Sequence, residues 1–334
     1  MRRTVVAASI VAVIIVTTAL GPGVSRTGRA SAATQSWQIK IFSVGTSSTD
    51  IAAVLANPYV SGISVRFGWA SVEPSPGTYR WTRIDDVIRQ AQAVGKLAMI
   101  RVIAGVMSPD WVLRRVKTLS FSSGYLRGAT SSKSTMPIPW KRRFLRPWKA
   151  FISHLARRYD GDPTLYSMQM PGCGFQGEMA LPTDVRKWLA AGYTDGRLIR
   201  CWKRVTTRYR RRFHQTRLNL DIGEPFLSLL ATNVMHPVVR FATRAGIRKA
   251  YIQQNGLRAG LLGCLGPYRR TIRRESRETR VGYQMGHEAK TATGLHKAFK
   301  VALQDHVDYV EVYASDILAN ADQRALRYLA SGGG

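Results

Sequence analysis

The sequence predicts an α/β fold, a single (β/α)8 TIM barrel, on three observations: eight short apolar or β-branched runs, segments of helical period between them, and no Gly-rich phosphate turn. The runs fall at residues 38–43, 62–67, 97–103, 165–170, 218–222, 249–253, 281–285 and 307–312. Helices are expected at 81–94, 144–159, 198–213, 237–245, 293–304 and 322–329. An open doubly wound sheet alternates in the same way, but it announces itself with a G-x-G-x-x-G or Walker sequence after an early strand, and neither occurs. Two long connections, 104–141 and 171–197, both follow strands. In a barrel such loops build the C-terminal face, where active sites sit.

With 334 residues, 45% of them hydrophobic, the chain can fill one barrel core. Met1-Arg2-Arg3 is followed by an uncharged, mostly apolar run over 4–20, and Ala30-Ser31-Ala32 offers the small residues a signal peptidase favours. Residues 1–32 read as an export signal; the alternative is an uncleaved anchor, because the apolar run is near the lower limit of roughly 17 residues for a spanning helix. The expected plan is therefore a signal segment, a barrel over 33–330 and a flexible Gly-rich tail over 331–334, secreted or otherwise extracytoplasmic.

Cys173, Cys201 and Cys264 are an odd set, so at most one internal pair forms; Cys173 with Cys201 is one option and small buried thiols are the other. Their spacing matches no metal site, and no cofactor signature is present. The net charge of +30 raises a polyanion reading, yet the arginines are spread along the chain, several on outer helix faces. No specific nucleic-acid site is expected. Attraction to an anionic wall or membrane surface is expected as a side effect of the charge. Absence of G-x-S-x-G and H-E-x-x-H removes support for serine and zinc hydrolases.

The chemistry-bearing motifs begin at 62–81, GISVRFGWASVEPSPGTYRW. This stretch resembles the second βα unit of the clan A barrel glycosidases related to β-galactosidases and cellulases, where the arginine at the strand end, here Arg66, orients the nucleophile. Its planar fork of donors suits a carboxylate. Glu73, before a Pro-Ser-Pro-Gly turn, reads as a structural acceptor, and Tyr79 and Trp81 as packing residues. Residues 96–112, KLAMIRVIAGVMSPDWV, look like the third strand and loop of the same enzymes. Trp111 there, and Trp140 beyond it, are candidates for stacking on a pyranose face or, equally, for anchoring their loops.

Residues 157–163, RRYDGDP, then the apolar strand and Gly172-Cys173-Gly174-Phe175-Gln176-Gly177-Glu178-Met179, are similar to the clan A region that supplies the acid/base after strand four. The resemblance therefore implies Glu178 as the acid/base. Family members place an asparagine just before that glutamate; Gly177 stands there, leaving its hydrogen bond to the sugar missing or supplied by Gln176. The partner carboxylate should come from strand seven, VGYQM followed by Gly286-His287-Glu288. Glu288 is the candidate, although the family nucleophile aligns with Gln284 or Met285; Glu224, Glu311 and Asp316 are reserves. A retaining pair needs its carboxyls about 5–5.5 Å apart. Asp221, Asn255 and Tyr283 are further candidates for substrate contact. The resemblance implies retaining hydrolysis of a β-linked glycoside, with a catalytically silent carbohydrate-binding barrel and a basic adhesion protein as rivals.

Overall fold

The computed structural model describes residues 38–122, 133–227, 233–244, 249–258, 266–289, 291–319 and 323–333. Residues 1–32 and Cys264, on which the export and third-cysteine expectations rest, lie outside the described residues.

The described residues form ten strands: β1 Lys40–Val44, β2 Gly62–Gly68, β3 Leu97–Ile103, β4 Thr118–Ser122, β5 Lys133–Pro137, β6 Leu165–Gln169, β7 Leu218–Ile222, β8 Tyr251–Leu257, β9 Val281–Met285 and β10 Tyr309–Tyr313. Eight close a barrel in the order β1, β2, β3, β6, β7, β8, β9, β10, and β10 pairs back to β1. Every barrel pair is parallel. The eight expected runs are these eight strands. β8 differs most, because it runs on through Gln254 and Asn255, which pair with β9, and past an irregularity at Gly256 to Leu257. A reading based on apolar side chains stops there, since those polar residues belong to the barrel mouth.

The remaining pair, β4 and β5, forms an antiparallel hairpin inside the long connection after β3. That connection was expected as loop. Its Thr118-Leu119-Ser120-Phe121-Ser122 alternation fits a strand with one packed face, and Phe121 is buried and stacked on Trp188.

Helices cover the barrel because each presents one apolar stripe to it. In Arg142–Tyr159 the buried positions are Phe144, Leu145, Trp148, Phe151, Ile152, Leu155, Ala156 and Tyr159, the spacing of a single helical face. Helix Asp195–Arg210 starts on Thr194, whose hydroxyl accepts from the Arg197 amide, and buries Leu198, Cys201, Trp202, Val205 and Tyr209. Ser331–Gly333, expected as a flexible tail, return hydrogen bonds to the last helix: Ser331 N to Arg327 O, Gly332 N to Leu329 O and Gly333 N to Tyr328 O. No helix of the described residues is long and apolar enough to cross a membrane.

Inside the barrel, side chains are layered. Phe42, Met99, Tyr166, Tyr251 and Tyr309 form an apolar plug separate from the core under the helices. Gly282 makes room for it, since a Cβ there would lie 2.2 Å from the Tyr309 ring. Above the plug the axis turns polar, and that layer carries the site.

Candidate active site

Strand alternation selects which polar residues meet. On β7, Leu218, Leu220 and Ile222 belong to the helix-facing core, leaving Asn219 and Asp221 to the axis. On β2 and β3, Arg66 and Arg101 are register partners. Ser64, Gln169, Gln253 and Glu311 complete the layer above the plug, all buried.

Arg101 is 2% exposed and lies between two carboxylates, 3.8 Å from Asp221 Oδ2 and 3.6 Å from Glu311 Oε2. Glu311 also accepts from Ser64 Oγ at 2.6 Å and Gln253 Nε2 at 3.1 Å. Asp221 accepts from Gln169 Nε2 at 3.2 Å and Asn255 Nδ2 at 2.5 Å. Burial first pushes the Asp221 carboxyl well above the ordinary carboxylate range; Arg101 opposes this, and Glu178 and Glu311 add to it. Asp221 is thus sequestered beneath the mouth. The expectation that it touches a sugar hydroxyl is corrected, because its side chain has no exposed surface.

Glu178 rises above this layer. It is half-buried, and its Oε1 accepts from Asn255 Nδ2 at 3.3 Å, so one amide nitrogen serves both Glu178 and Asp221. The loop after β6 is folded for this purpose. At Gly174 a Cβ would lie 1.6 Å from the Glu178 carbonyl oxygen, so only glycine allows the loop to close on itself. Gly177 has φ +113° and its Cβ would press on Arg101 at 3.1 Å. An asparagine at 177 would carry that strain; the amide that reaches Glu178 itself comes from Asn255, on the sixth barrel strand. Cys173 in the same loop forms a disulfide with Cys201, tying the Glu178 loop to helix Asp195–Arg210.

Between the second and seventh barrel strands, Arg66 Nη2 donates to Gln284 Oε1 at 2.7 Å. The strand-seven position facing the mouth is therefore an amide in the grip of the arginine, rather than a carboxylate. Burial lowers the Arg66 guanidinium first and Arg101 next, while Glu311, Glu178 and Tyr313 pull it back. Glu288 lies on the exit of β9 and is exposed. Its loop is pinned by Asp316, whose carboxylate accepts from the Ala289 amide at 3.1 and 2.8 Å. Tyr313, half-buried at the end of β10, feels both candidates: burial raises its phenol, Arg66 lowers it, and Glu311, Glu288 and Glu178 raise it again.

Other expected site residues turn out to be structural. Tyr283 faces away from the cleft, fully buried, with its hydroxyl on Asp305 at 2.8 Å. Trp140 is packed against Trp188 and Tyr193. Trp111 stands edge-on to Trp69 and donates to the Glu73 carbonyl at 3.1 Å, so both tryptophans anchor their loops. Glu73 accepts from Trp69 Nε1 and the Gly77 amide, the structural role expected for it, and Tyr79 stacks on Trp81. Glu224 accepts from the Val234 and Met235 amides at the start of helix Met235–Ala242. Glu311 is enclosed. Gln176 is half-buried in the Glu178 loop. Among the described residues, no three His, Cys, Asp or Glu side chains converge as metal ligands would.

Sequence reasoning missed Arg101, Gln253, Gln169 and the seating of Gln284. The signal was a polar residue recurring at alternate positions of an otherwise apolar strand, as in Leu165-Tyr166-Ser167-Met168-Gln169, or a lone charge in one, as Arg101 is in β3.

A closed parallel barrel with an acid after its fourth strand and an arginine ending its second has the architecture of the clan A barrel glycosidases, and the comparisons agree. Residues 47–206 match the glycoside hydrolase 42 family model, described as beta-galactosidase. No curated protein matches. Among solved structures, the fold is similar to β-galactosidase from the psychrophilic Marinomonas ef1, at TM-score 0.58 and 11% identity over 87% of this chain and 59% of that one. It is also similar to the β-amylase catalytic domain from Paenibacillus polymyxa, at TM-score 0.62 and 10% identity over 90% of this chain and 99% of that one. Endo-glycoceramidase II from Rhodococcus sp. aligns at TM-score 0.51 and 13% identity over 83% and 73% of the two chains. The chain spans 59% of the length of the Marinomonas enzyme. At such identities the structures show a shared fold; the family match adds support for a glycosidase.

Proposed function

We propose that this chain is an exported glycoside hydrolase that cleaves a β-linked glycoside by double displacement. Glu178 protonates the leaving oxygen while Glu288 attacks the anomeric carbon, giving a glycosyl ester; Glu178 then takes a proton from water, which attacks the same carbon and frees Glu288. One observation carries the reading: Glu178 is a half-buried carboxyl on a loop built around it, with the Asn255 amide on one oxygen. General acid work needs such a group, close to substrate yet partly shielded from water. The Cys173–Cys201 disulfide supports export, since such bonds persist in oxidising compartments.

The Arg66–Gln284 hydrogen bond favours a second reading, a barrel that binds carbohydrate without cleaving it. A panel of aryl β-glycosides separates the two. Turnover by the wild-type chain that falls at least a hundredfold in Glu178→Gln, within the usual range for a lost general acid, supports the hydrolase. Saturable sugar binding with no turnover in either protein supports the silent barrel.

A further inference from the structure

The outer layer carries a feature the barrel mouth does not use. Helices Arg142–Tyr159 and Asp195–Arg210 lie side by side, joined by Arg208, which donates from Nε to the Lys149 carbonyl at 2.8 Å and from Nη2 to Ser153 Oγ. Between them runs a groove of about 920 Å³ in which Arg142, Arg146, Lys149, Lys203, Arg204 and Arg211 gather with no carboxylate in the lining. Neighbouring depressions extend the basic surface through Arg114, Arg115 and Arg143 on one side and Arg157 and Arg212 on the other. The acid that borders it, Asp160, is committed to the His214, Gln215 and Thr216 amides, which hold it below the usual carboxylate range against the opposing effect of its burial. Among the described residues, none of the ion pairs includes one of these six cations.

Helix electrostatics do not account for this clustering. Cations are favoured at the C-terminal end of a helix, which explains Arg208, Arg210 and the C-cap Arg211, but they are disfavoured in the first turns, where Arg142 and Arg146 stand with no acid in the first turn. On a helix rising about 1.5 Å per residue, Arg142, Arg146 and Lys149 fall roughly 6 and 4.5 Å apart along the axis. That is a ladder suited to a chain carrying one anion per repeat of a few bonds. The one aromatic side chain in the lining, Phe241, already has Lys203 Nζ and the Arg210 guanidinium over its ring, at 5.6 and 5.7 Å from the centroid. No ring is left open for base stacking, the usual partner of charge in single-stranded nucleic-acid sites.

We infer that this groove binds a linear phosphodiester polymer of the polyol-phosphate type, holding the barrel against an anionic matrix independently of the mouth. Full-length protein titrated with short synthetic poly(glycerol phosphate) tests this. In the variant Arg146→Gln, Lys149→Gln, Arg204→Gln, Arg211→Gln the affinity should fall at least tenfold, and the slope of log K against log salt should flatten by roughly 3, at about 0.7 per lost contact. The matched control Arg270→Gln, Arg277→Gln, Arg324→Gln, Arg327→Gln, exposed on other helices or, for Arg277, in the turn after one, should lose less than twofold. In the wild-type protein the polymer should shield Lys149 and Lys203, but not Lys297 and Lys300, from amine acetylation, a readout that needs no variant to fold. Equal loss in the control, equal shielding of all four lysines, or equally tight binding of poly(dT) or anionic vesicles of matched charge would each overturn the inference.

Discussion

Gln284→Glu is the most revealing single change, because it places a carboxylate where Arg66 now holds an amide at 2.7 Å. The new pair is a charge-assisted hydrogen bond, worth about 1.5–3 kcal/mol against about 1 kcal/mol for the neutral one, so the arginine stabilises the added charge. If residue 284 faces Glu178 across a gap of about 5.5 Å, as a retaining pair does, its charge opposes ionisation of the acid by about 3 kcal/mol at an effective dielectric constant of about 20. The basic limb of the pH–rate profile, where the general acid loses its proton, should then move up by about two pH units. A 2-deoxy-2-fluoro glycoside with a good leaving group gives a second readout by peptide mass spectrometry. The variant should be trapped at residue 284, whereas the wild type should be trapped at Glu288 under double displacement and nowhere if the barrel is silent. A variant that neither shifts its profile nor acquires a label at 284 would refute the opposition of the two rims.

Three further outcomes follow from buried charges and the crosslink. Burial raises Glu224 from 4.5 to about 7, so its folded form favours the proton; stability is highest below the lower value and falls, by of order 3 kcal/mol, as pH rises between them. Thermal unfolding from pH 4.5 to 7.5 should show that decline, and Glu224→Gln should flatten it. Arg101→Met leaves Asp221 and Glu311 without their cation and should cost about 3–5 kcal/mol by denaturant unfolding; a change under 1 kcal/mol would mean the pair is not held by Arg101. Replacing Cys173 and Cys201 by serine should cost about 3.5 kcal/mol for a crosslink across 28 residues, read under the same denaturant conditions, while leaving the wild type unaffected by iodoacetamide at these two positions.

The barrel was legible because its eight strands are apolar runs of the right length, and the place of Glu178 on the loop after the fourth of them was legible because that motif is local in sequence. What escaped depends on direction. Parallel strands are buried on both faces, so the sequence does not say which alternate set meets at the axis. Tyr283 and Gln284 are neighbours on β9, yet one reaches Asp305 outside the barrel and the other reaches Arg66 inside it. A single-residue error in register therefore exchanged a structural tyrosine for the residue that matters. Trp140 misled for another reason: an aromatic on a long connection suits a sugar or a neighbouring loop equally, and the β4–β5 hairpin that decides between them brings Trp188 and Tyr193 into play from 48 residues and more downstream. Asn255 was found by its place after a strand, but its link to Glu178 joins residues 77 apart in sequence.

The central claim is that Glu178 delivers the proton to the departing oxygen, and leaving-group dependence tests it most directly. Rates of glycosyl-enzyme formation should be compared for wild type and Glu178→Ala across phenols of increasing acidity. The account predicts a loss of about 10²–10⁴ for alkoxide-like leaving groups that shrinks towards unity for dinitrophenolate, which departs without a proton. A loss that is the same for every leaving group, or no loss at all, would contradict it.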